Sequence, residues 1–241
     1  MTATEPGPTT WYHTIELAPG EVTPGQVDLR ALPPKLFPAS LAGKRALDTG
    51  TFDGFWAFAM ERLGASVVAI DVEKADDAQW PPFRREQLRA EADALGLELG
   101  SGFRTAAAAL GSSVERVVCD VYDLAPERIG GPVDLAFCGA LLLHLRDPVL
   151  ALERIRATLA PGGSLVLLEP PAVRETLLSP RKPLARFEPL DTTFNWWRPN
   201  LAALRAWLLT AGFTSVERRG LYRPPSVPHM RSWYVALEAR P

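Results

Sequence analysis

Cysteine is scarce in this chain. Cys119 and Cys138 are its two cysteines, both inside apolar runs and without metal-type spacing. Both are expected to be buried free thiols, and no metal site is expected. Long apolar runs are missing too. None approaches the ~20 residues that a membrane span needs, so no membrane association is expected. The opening residues, MTATEPGPTT, have neither a basic start nor an apolar stretch; no secretory signal is expected there, and a cytoplasmic location is. An excess of one charge is also absent, with 26 Lys and Arg against 28 Asp and Glu and a net charge of -2. That balance argues against a broad nucleic-acid-binding surface and leaves a local basic patch open. Internal repeats and low-complexity segments are lacking.

Proline is abundant, with 23 residues gathered at 6–38, 161–199 and 224–228. Aromatics are interleaved with them, so these stretches read as an N-terminal wrap and two loop regions. Hydrophobic residues make up 47% of the 241 residues, enough for the core of one α/β domain. The expected division is an extension over 1–40 that wraps the active-site face and a domain over 41–241, with 170–200 as a lid.

From residue 44 onward strand-like and helix-like runs alternate. Strands are expected at 45–48, 66–70, 114–118, 133–138, 164–168, 215–219 and 233–237. A helix is expected at 55–63, ended by Gly64, with further helical character in the polar stretch 73–110. Another, at 148–159, follows a capping Asp147 and has Pro148 in its first turn. A last one at 200–211 ends at Gly212. Strands alternating with helices imply a mostly parallel sheet covered on both faces. The last two strands have no helix between them and should form an antiparallel hairpin. The expected fold is therefore α/β: a Rossmann-like, seven-stranded, mostly parallel sheet with a C-terminal antiparallel hairpin and helices on both faces.

In such a sheet, ligands bind at the carboxyl ends of the strands. The first of these ends reads Asp48-Thr49-Gly50-Thr51-Phe52-Asp53-Gly54. A glycine-containing turn after a strand lets the backbone approach a ligand at the next helix N-terminus. The loop lacks the glycine triplet of a nicotinamide dehydrogenase, and its leading acid would repel a pyrophosphate. Asp48 suits a ligand with a cationic amine, such as a methionine moiety. Asp71 follows the glycine turn by about 20 residues, where an acid accepts two ribose hydroxyls; a solvated strand end is the alternative. Asp120 can accept a hydrogen bond from an adenine amino group, with Val121 as an apolar face, or it can cap a turn.

At these residues the chain resembles the class I S-adenosylmethionine (SAM)-dependent methyltransferases. LDTGTFDG is similar to their acid-x-Gly-x-Gly-x-Gly loop, with Phe52 in place of the central glycine; Phe52 fits if its backbone stays at negative φ. AIDV resembles the ribose-binding motif and CDVYDL the adenine-side motif. FCGALLLHLRDP resembles the fourth-strand motif, and LAPGGSLVLLE the fifth-strand one. The resemblance covers about residues 44–170. It implies SAM as cofactor, held by Asp48, Gly50, Thr51, Asp71, Val72, Asp120, Val121, Cys138 and Gly139. A narrower resemblance rests on WYHTIEL at 11–17, VTPG at 22–25 and NWWRPN at 195–200. These are similar to a bacterial subgroup related to the tRNA wobble-uridine carboxymethyltransferases, which use carboxy-SAM. Those enzymes carry a tyrosine before the histidine that follows strand four. Here that position is Leu143, before His144, which points to plain SAM. An arginine near their C-terminus is matched loosely by Arg231.

The acceptor is expected at the carboxyl-end face, among the loops at 170–200 and 221–232 and the N-terminal wrap. His144 is the first choice as base or acceptor contact, with a packing or capping role as the alternative. Glu169 is the second, against a structural hydrogen bond. His13, Asn195, Trp196, Trp197, Arg198, His229 and Arg231 are the substrate-binding candidates, the two tryptophans as an aromatic wall with at least one expected in the core. Arg181, Lys182 and Arg186 form a basic stretch that either faces solvent or contacts an anionic acceptor. The expected activity is methyl transfer to an oxygen or nitrogen of a small molecule. A tRNA-modifying methyl- or carboxymethyltransferase remains open, as does a non-catalytic SAM-fold binding protein, which the Phe52 departure motivates.

Overall fold

The computed structural model describes residues 11–94, 99–190 and 195–241. The N-terminal decapeptide that was read for a signal, residues 95–98 of the expected helical stretch and residues 191–194 of the expected lid lie outside the described residues. Seven strands form one sheet: β1 (Arg45–Thr49), β2 (Ser66–Asp71), β3 (Glu115–Val118), β4 (Val133–Gly139), β5 (Leu159–Glu169), β6 (Ser215–Tyr222) and β7 (Tyr234–Arg240). Their spatial order is β6-β7-β5-β4-β1-β2-β3. β1 pairs in parallel with both β2 and β4, β2 with β3, and β4 with β5. β7 alone runs antiparallel, between β5 and β6. The strand order therefore reverses between β1 and β4, and that switch opens the crevice in which such sheets take ligands.

Among the described residues, six helices longer than one turn connect or flank the strands: α1 (Phe55–Arg62), α2 (Arg85–Ala94), α3 (Ser101–Leu110), α4 (Pro148–Ala157), α5 (Val173–Leu178) and α6 (Leu201–Thr210). The cap of α4 is as expected: Asp147 Oδ1 accepts the Leu150 N–H at 2.9 Å, and Pro148 opens the helix. Asn200 caps α6 through the Ala203 N–H at 2.8 Å. Neither contact survives an alanine, so each cap contributes about 1 kcal/mol. The expected helix over 148–159 ends earlier, at Ala157, because β5 begins at Leu159 and takes in Pro161-Gly162-Gly163. Its register against β4 slips between the Val133–Leu159 and Leu135–Ser164 pairs. Gly162, at φ +80°, absorbs the slip without a Cβ penalty.

Alternate residues of the central strands feed two cores on opposite faces of the sheet. Leu47, Ile70, Leu165, Leu167 and Leu237 pack with Leu152 and Ile155 of α4 and Leu204 and Leu208 of α6. Ala46, Ala69, Phe137, Val166 and Leu168 pack with Phe55, Trp56 and Phe58 of α1. The second core is completed by Ile15, Val27, Leu29, Leu36 and Phe37. The N-terminal segment is thus part of a core layer. It is stitched by backbone bonds from Thr14 N to Val27 O and from Val27 N to Tyr12 O. Bonds from Asp28 N to Pro225 O and from Val227 N to Gln26 O tie it to the loop between β6 and β7, at the carboxyl-end face.

Candidate active site

The 48–54 loop is built around Asp48, which is 2% exposed. Its Oδ2 accepts the Thr51 hydroxyl at 2.7 Å and the Ala57 N–H at 3.1 Å. The second bond replaces a side-chain cap on α1, which starts at Gly54 without one. Burial pushes the Asp48 carboxyl up to about 7, against the pull of Thr51, His13 and Ala57. Gly50 and Gly54 both need the left-handed region, at φ +69° and +86°. A Cβ on Gly54 would also lie 2.3 Å from Phe58 and 2.8 Å from Phe103. Phe52 departs from the expectation of a negative φ: it stands at +49°. The loop keeps the backbone turn that a glycine would give, and a bulky residue holds it. The Phe52 N–H donates to Asp71 Oδ2 at 2.7 Å, and its ring meets Tyr12 edge-on at 6.4 Å.

Asp71, at the end of β2, also takes the Val72 N–H on Oδ1 at 2.8 Å. Burial raises its carboxyl despite both backbone bonds. The bond from Phe52 joins the first two acids of the site directly through the loop between them. Asp120 follows β3; its Oδ1 caps a short turn through Tyr122 N at 2.9 Å, and its Oδ2 receives the Gln79 amide at 3.0 Å. The capping alternative is therefore realised at one oxygen. Val121 is buried against the core. Cys138 is wholly buried, and desolvation pushes its thiol well up, so only its backbone can face a ligand. Gly139 ends β4, half-buried. Asp48, Asp71 and Asp120 thus lie at or just past the carboxyl ends of the adjacent strands β1, β2 and β3.

Glu169 ends β5 and is 1% exposed. Its Oε1 accepts the N–H groups of Leu141 and Leu142 at 2.9 and 2.8 Å. Its Oε2 is buried without a hydrogen-bond partner. Burial raises this carboxyl to about 8. The turn it grips, Leu142–His144, carries His144, half-buried, with Leu143 buried beneath it. The lid reaches this turn through Trp196, whose N–H donates to Leu143 O at 2.7 Å. The Trp196 indole donates to Gln79 O at 2.5 Å and lies under the Arg146 guanidinium at 5.1 Å. Trp196 is the tryptophan expected in the core, at 8% exposure. Trp197 is half-buried and bonds to Arg146 O. Asn195 is buried.

Other candidates fall apart from this centre. Arg198 is in an ion pair with Glu188 at 2.9 Å, which also pairs with Arg186 at 2.9 Å. His229 and Arg231 are exposed on the loop between β6 and β7. His13 moves the other way. It is 6% exposed and bonds through Nδ1 to Asp53 Oδ1 at 2.6 Å, inside the cofactor loop. Asp53 and Tyr12 are the residues that sequence reasoning missed. Tyr12 OH meets Tyr234 OH at 3.2 Å. Burial pushes its phenol well up, helped by the charges of Tyr234, Glu169 and Asp53. An acid in a tight loop next to a glycine was the available signal for Asp53, but its partner lies 40 residues away. Among the described residues, no helix is long and apolar enough to cross a membrane, and no three potential metal ligands cluster.

A strand-end acid with a glycine turn and further acids at the ends of the next two strands, in this sheet order, agree with a class: SAM-dependent methyltransferases. Residues 25–218 match the family described as "Methyltransferase domain", and the chain belongs to it. The sequence is 32% identical over 190 residues to a ubiquinone biosynthesis O-methyltransferase of Xanthomonas euvesicatoria pv. vesicatoria, covering 76% of this chain and 69% of that protein. It is 30% identical over 178 residues to a tRNA U34 carboxymethyltransferase of Azotobacter vinelandii, covering 73% of this chain and 47% of that one. In fold it is similar to the Burkholderia thailandensis 1,6-didemethyltoxoflavin-N1-methyltransferase, solved with its acceptor and S-adenosylhomocysteine (SAH). The TM-score there is 0.55 at 20% identity, over 86% of this chain and 77% of that one. The protein is a SAM-dependent methyltransferase. Its residues fit the cofactor, with left-handed turns at Gly50 and Gly54 and buried carboxylates at the strand ends.

Proposed function

We propose that this enzyme methylates an oxygen or nitrogen of a small-molecule acceptor, with His144 as the acceptor-side base. Bound SAM supplies an electrophilic methyl on a sulfonium. The chain's own part would be to hold the acceptor's oxygen or nitrogen towards that methyl, with His144 taking the proton that the acceptor gives up. Glu169 is the positioning residue: its two bonds to Leu141 and Leu142 fix the turn that carries His144. Asp48, Gly50, Thr51, Asp71, Val72, Asp120 and Val121, with the backbone of Cys138 and Gly139, hold the cofactor. Residues 170–200 act as a lid, and the segment before residue 41 as a wrap over the same face. Asn195, Trp196 and Trp197 form the lid's inner wall. We place the enzyme in the cytoplasm, where its two free, buried thiols stay reduced.

The observation that carries the small-molecule reading is the pairing of two of the lid's cations. Arg186 and Arg198 are both paired to Glu188, and Arg186 also to Glu175 at 3.6 Å. A phosphate would have to displace those carboxylates; Arg181 and Lys182 are further cations of the lid, both exposed. The tRNA reading has the Azotobacter relative in its favour. A titration of the protein with tRNA at rising salt decides between them. No binding, or binding that is insensitive to salt, supports a small acceptor. A steep fall of affinity with salt, removed by Arg181→Ala and Lys182→Ala, supports tRNA. A radiolabelled-SAM screen of phenols, catechols and amines then tests the activity; transfer that survives His144→Ala at full rate refutes His144 as base.

A further inference from the structure

We propose that His13, oriented by Asp53, is a cofactor-binding residue that accepts a hydrogen bond from the α-ammonium of SAM, so that the N-terminal segment completes the donor site rather than the acceptor site. The proposal rests on the SAM-dependent reading and holds whatever the acceptor is. Asp53 is 1% exposed, and three donors surround it. Its Oδ2 takes the N–H groups of Tyr12 and His13 at 3.1 and 2.7 Å, and its Oδ1 lies 2.6 Å from His13 Nδ1. A carboxylate has no hydrogen to give, so Nδ1 carries it. The neutral ring then presents Nε2 as a lone-pair acceptor.

The ring is also held against rotation. It stacks on Phe55, the first residue of α1, with centroids 5.1 Å apart and planes at 21°. Tyr12 closes on it edge-on at 4.6 Å. A surface histidine needs no such frame. Asp53 belongs to the 48–54 loop, with Asp48 at its base. An imidazole lone pair and a carboxylate beside one loop match a group that only donates. The ammonium of an aminoacyl chain has three N–H donors and no acceptor. The backbone bonds from Tyr12 and His13 to Asp53 give the arrangement its second feature: the residue that orients the ring also anchors the segment bearing it.

Two ligands separate this role from mere scaffolding. SAH carries the aminoacyl group; 5′-methylthioadenosine keeps the adenosine and sulfur and lacks it. Calorimetry on the full chain with His13→Phe, which preserves the stack on Phe55 and removes both nitrogens, should show SAH affinity down about tenfold or more. Methylthioadenosine affinity should stay within about twofold. Asp53→Asn, which loses the charge that fixes the tautomer, should cost about threefold or more on SAH and leave methylthioadenosine alone. An equal loss for both ligands marks a purely structural role and overturns the proposal, as does unchanged SAH binding in His13→Phe. If the unaltered protein binds neither ligand, the cofactor reading fails and the proposal with it.

Discussion

Replacing Glu169 with glutamine should make stability less dependent on pH, and the size of the effect follows from its surroundings. The carboxyl is fully desolvated, and burial lifts it from 4.5 to about 8. For an acid with a raised folded-state value, the folded state holds the proton more tightly than the unfolded chain. Its stabilising contribution is therefore complete below about 4.5 and is lost as pH rises through about 8. The shift of about 3.5 units, at about 1.4 kcal/mol per unit, amounts to about 5 kcal/mol. Glu169→Gln keeps an oxygen for Leu141 and Leu142 and cannot ionise. Urea unfolding of both proteins at several pH values gives the difference directly, and comparing them cancels the shifts of other acids. The variant should gain on the parent by about 1.4 kcal/mol per unit between about pH 5 and about pH 8, then level off. Parallel stability curves would mean that Glu169 is ionised throughout, and the argument for a neutral, buried carboxyl would fail.

Asp48 extends the same logic to binding. A carboxylate that titrates at about 7 must be ionised to hold a cationic amine. SAH affinity should fall by up to about tenfold per unit below that value and flatten in Asp48→Asn; a level profile in the parent refutes it. Gly54→Ala should destabilise by about 2–4 kcal/mol, from a positive φ and a Cβ driven into Phe58 and Phe103. Thermal melts within about 1 °C of the parent would contradict that. Phe52→Gly should leave SAH affinity within about twofold, because the backbone already takes a glycine-like turn. A loss above about tenfold would show that the Phe52 ring itself shapes the site.

The sheet was legible because its signals are local. Each of the first five strands ends within two residues of an acid or glycine, and Asp147-Pro148 and Asn200 announce their helices within four residues. The placement of three carboxylates could be read for the same reason, since strand order alone brings Asp48, Asp71 and Asp120 to adjacent strand ends. The Phe52 backbone could not be read. A phenylalanine prefers negative φ, and only the bonds around it, to Asp71 above all, hold it at +49°. His13 was visible as a polar residue of the wrap but was assigned to the acceptor. Its bonds to Asp53 span 40 residues, which no pattern of spacing encodes. Arg198 shows the reverse. Its charge was plain in the sequence, while the carboxylate that pairs with it, Glu188, comes one residue after the strand Ala185–Phe187, which pairs with Trp197–Pro199.

Charge unites the donor and acceptor readings. The carboxyl-end face gathers Asp48, Asp53, Asp71 and Glu169, all buried or half-buried. Two of the lid's cations, Arg186 and Arg198, are paired with Glu175 and Glu188. Such a face favours a cationic donor, because a low dielectric strengthens each interaction with a fixed carboxylate. The same field would oppose an acceptor with a negative charge near the reacting atom. Holding Glu169 protonated softens that opposition beside the turn that it grips, and it explains why a buried acid with one unpartnered oxygen can be tolerated there. An acceptor that arrives neutral, with a proton to surrender, meets the least resistance from this arrangement, which is the electrostatic profile of a hydroxyl or an unprotonated amine.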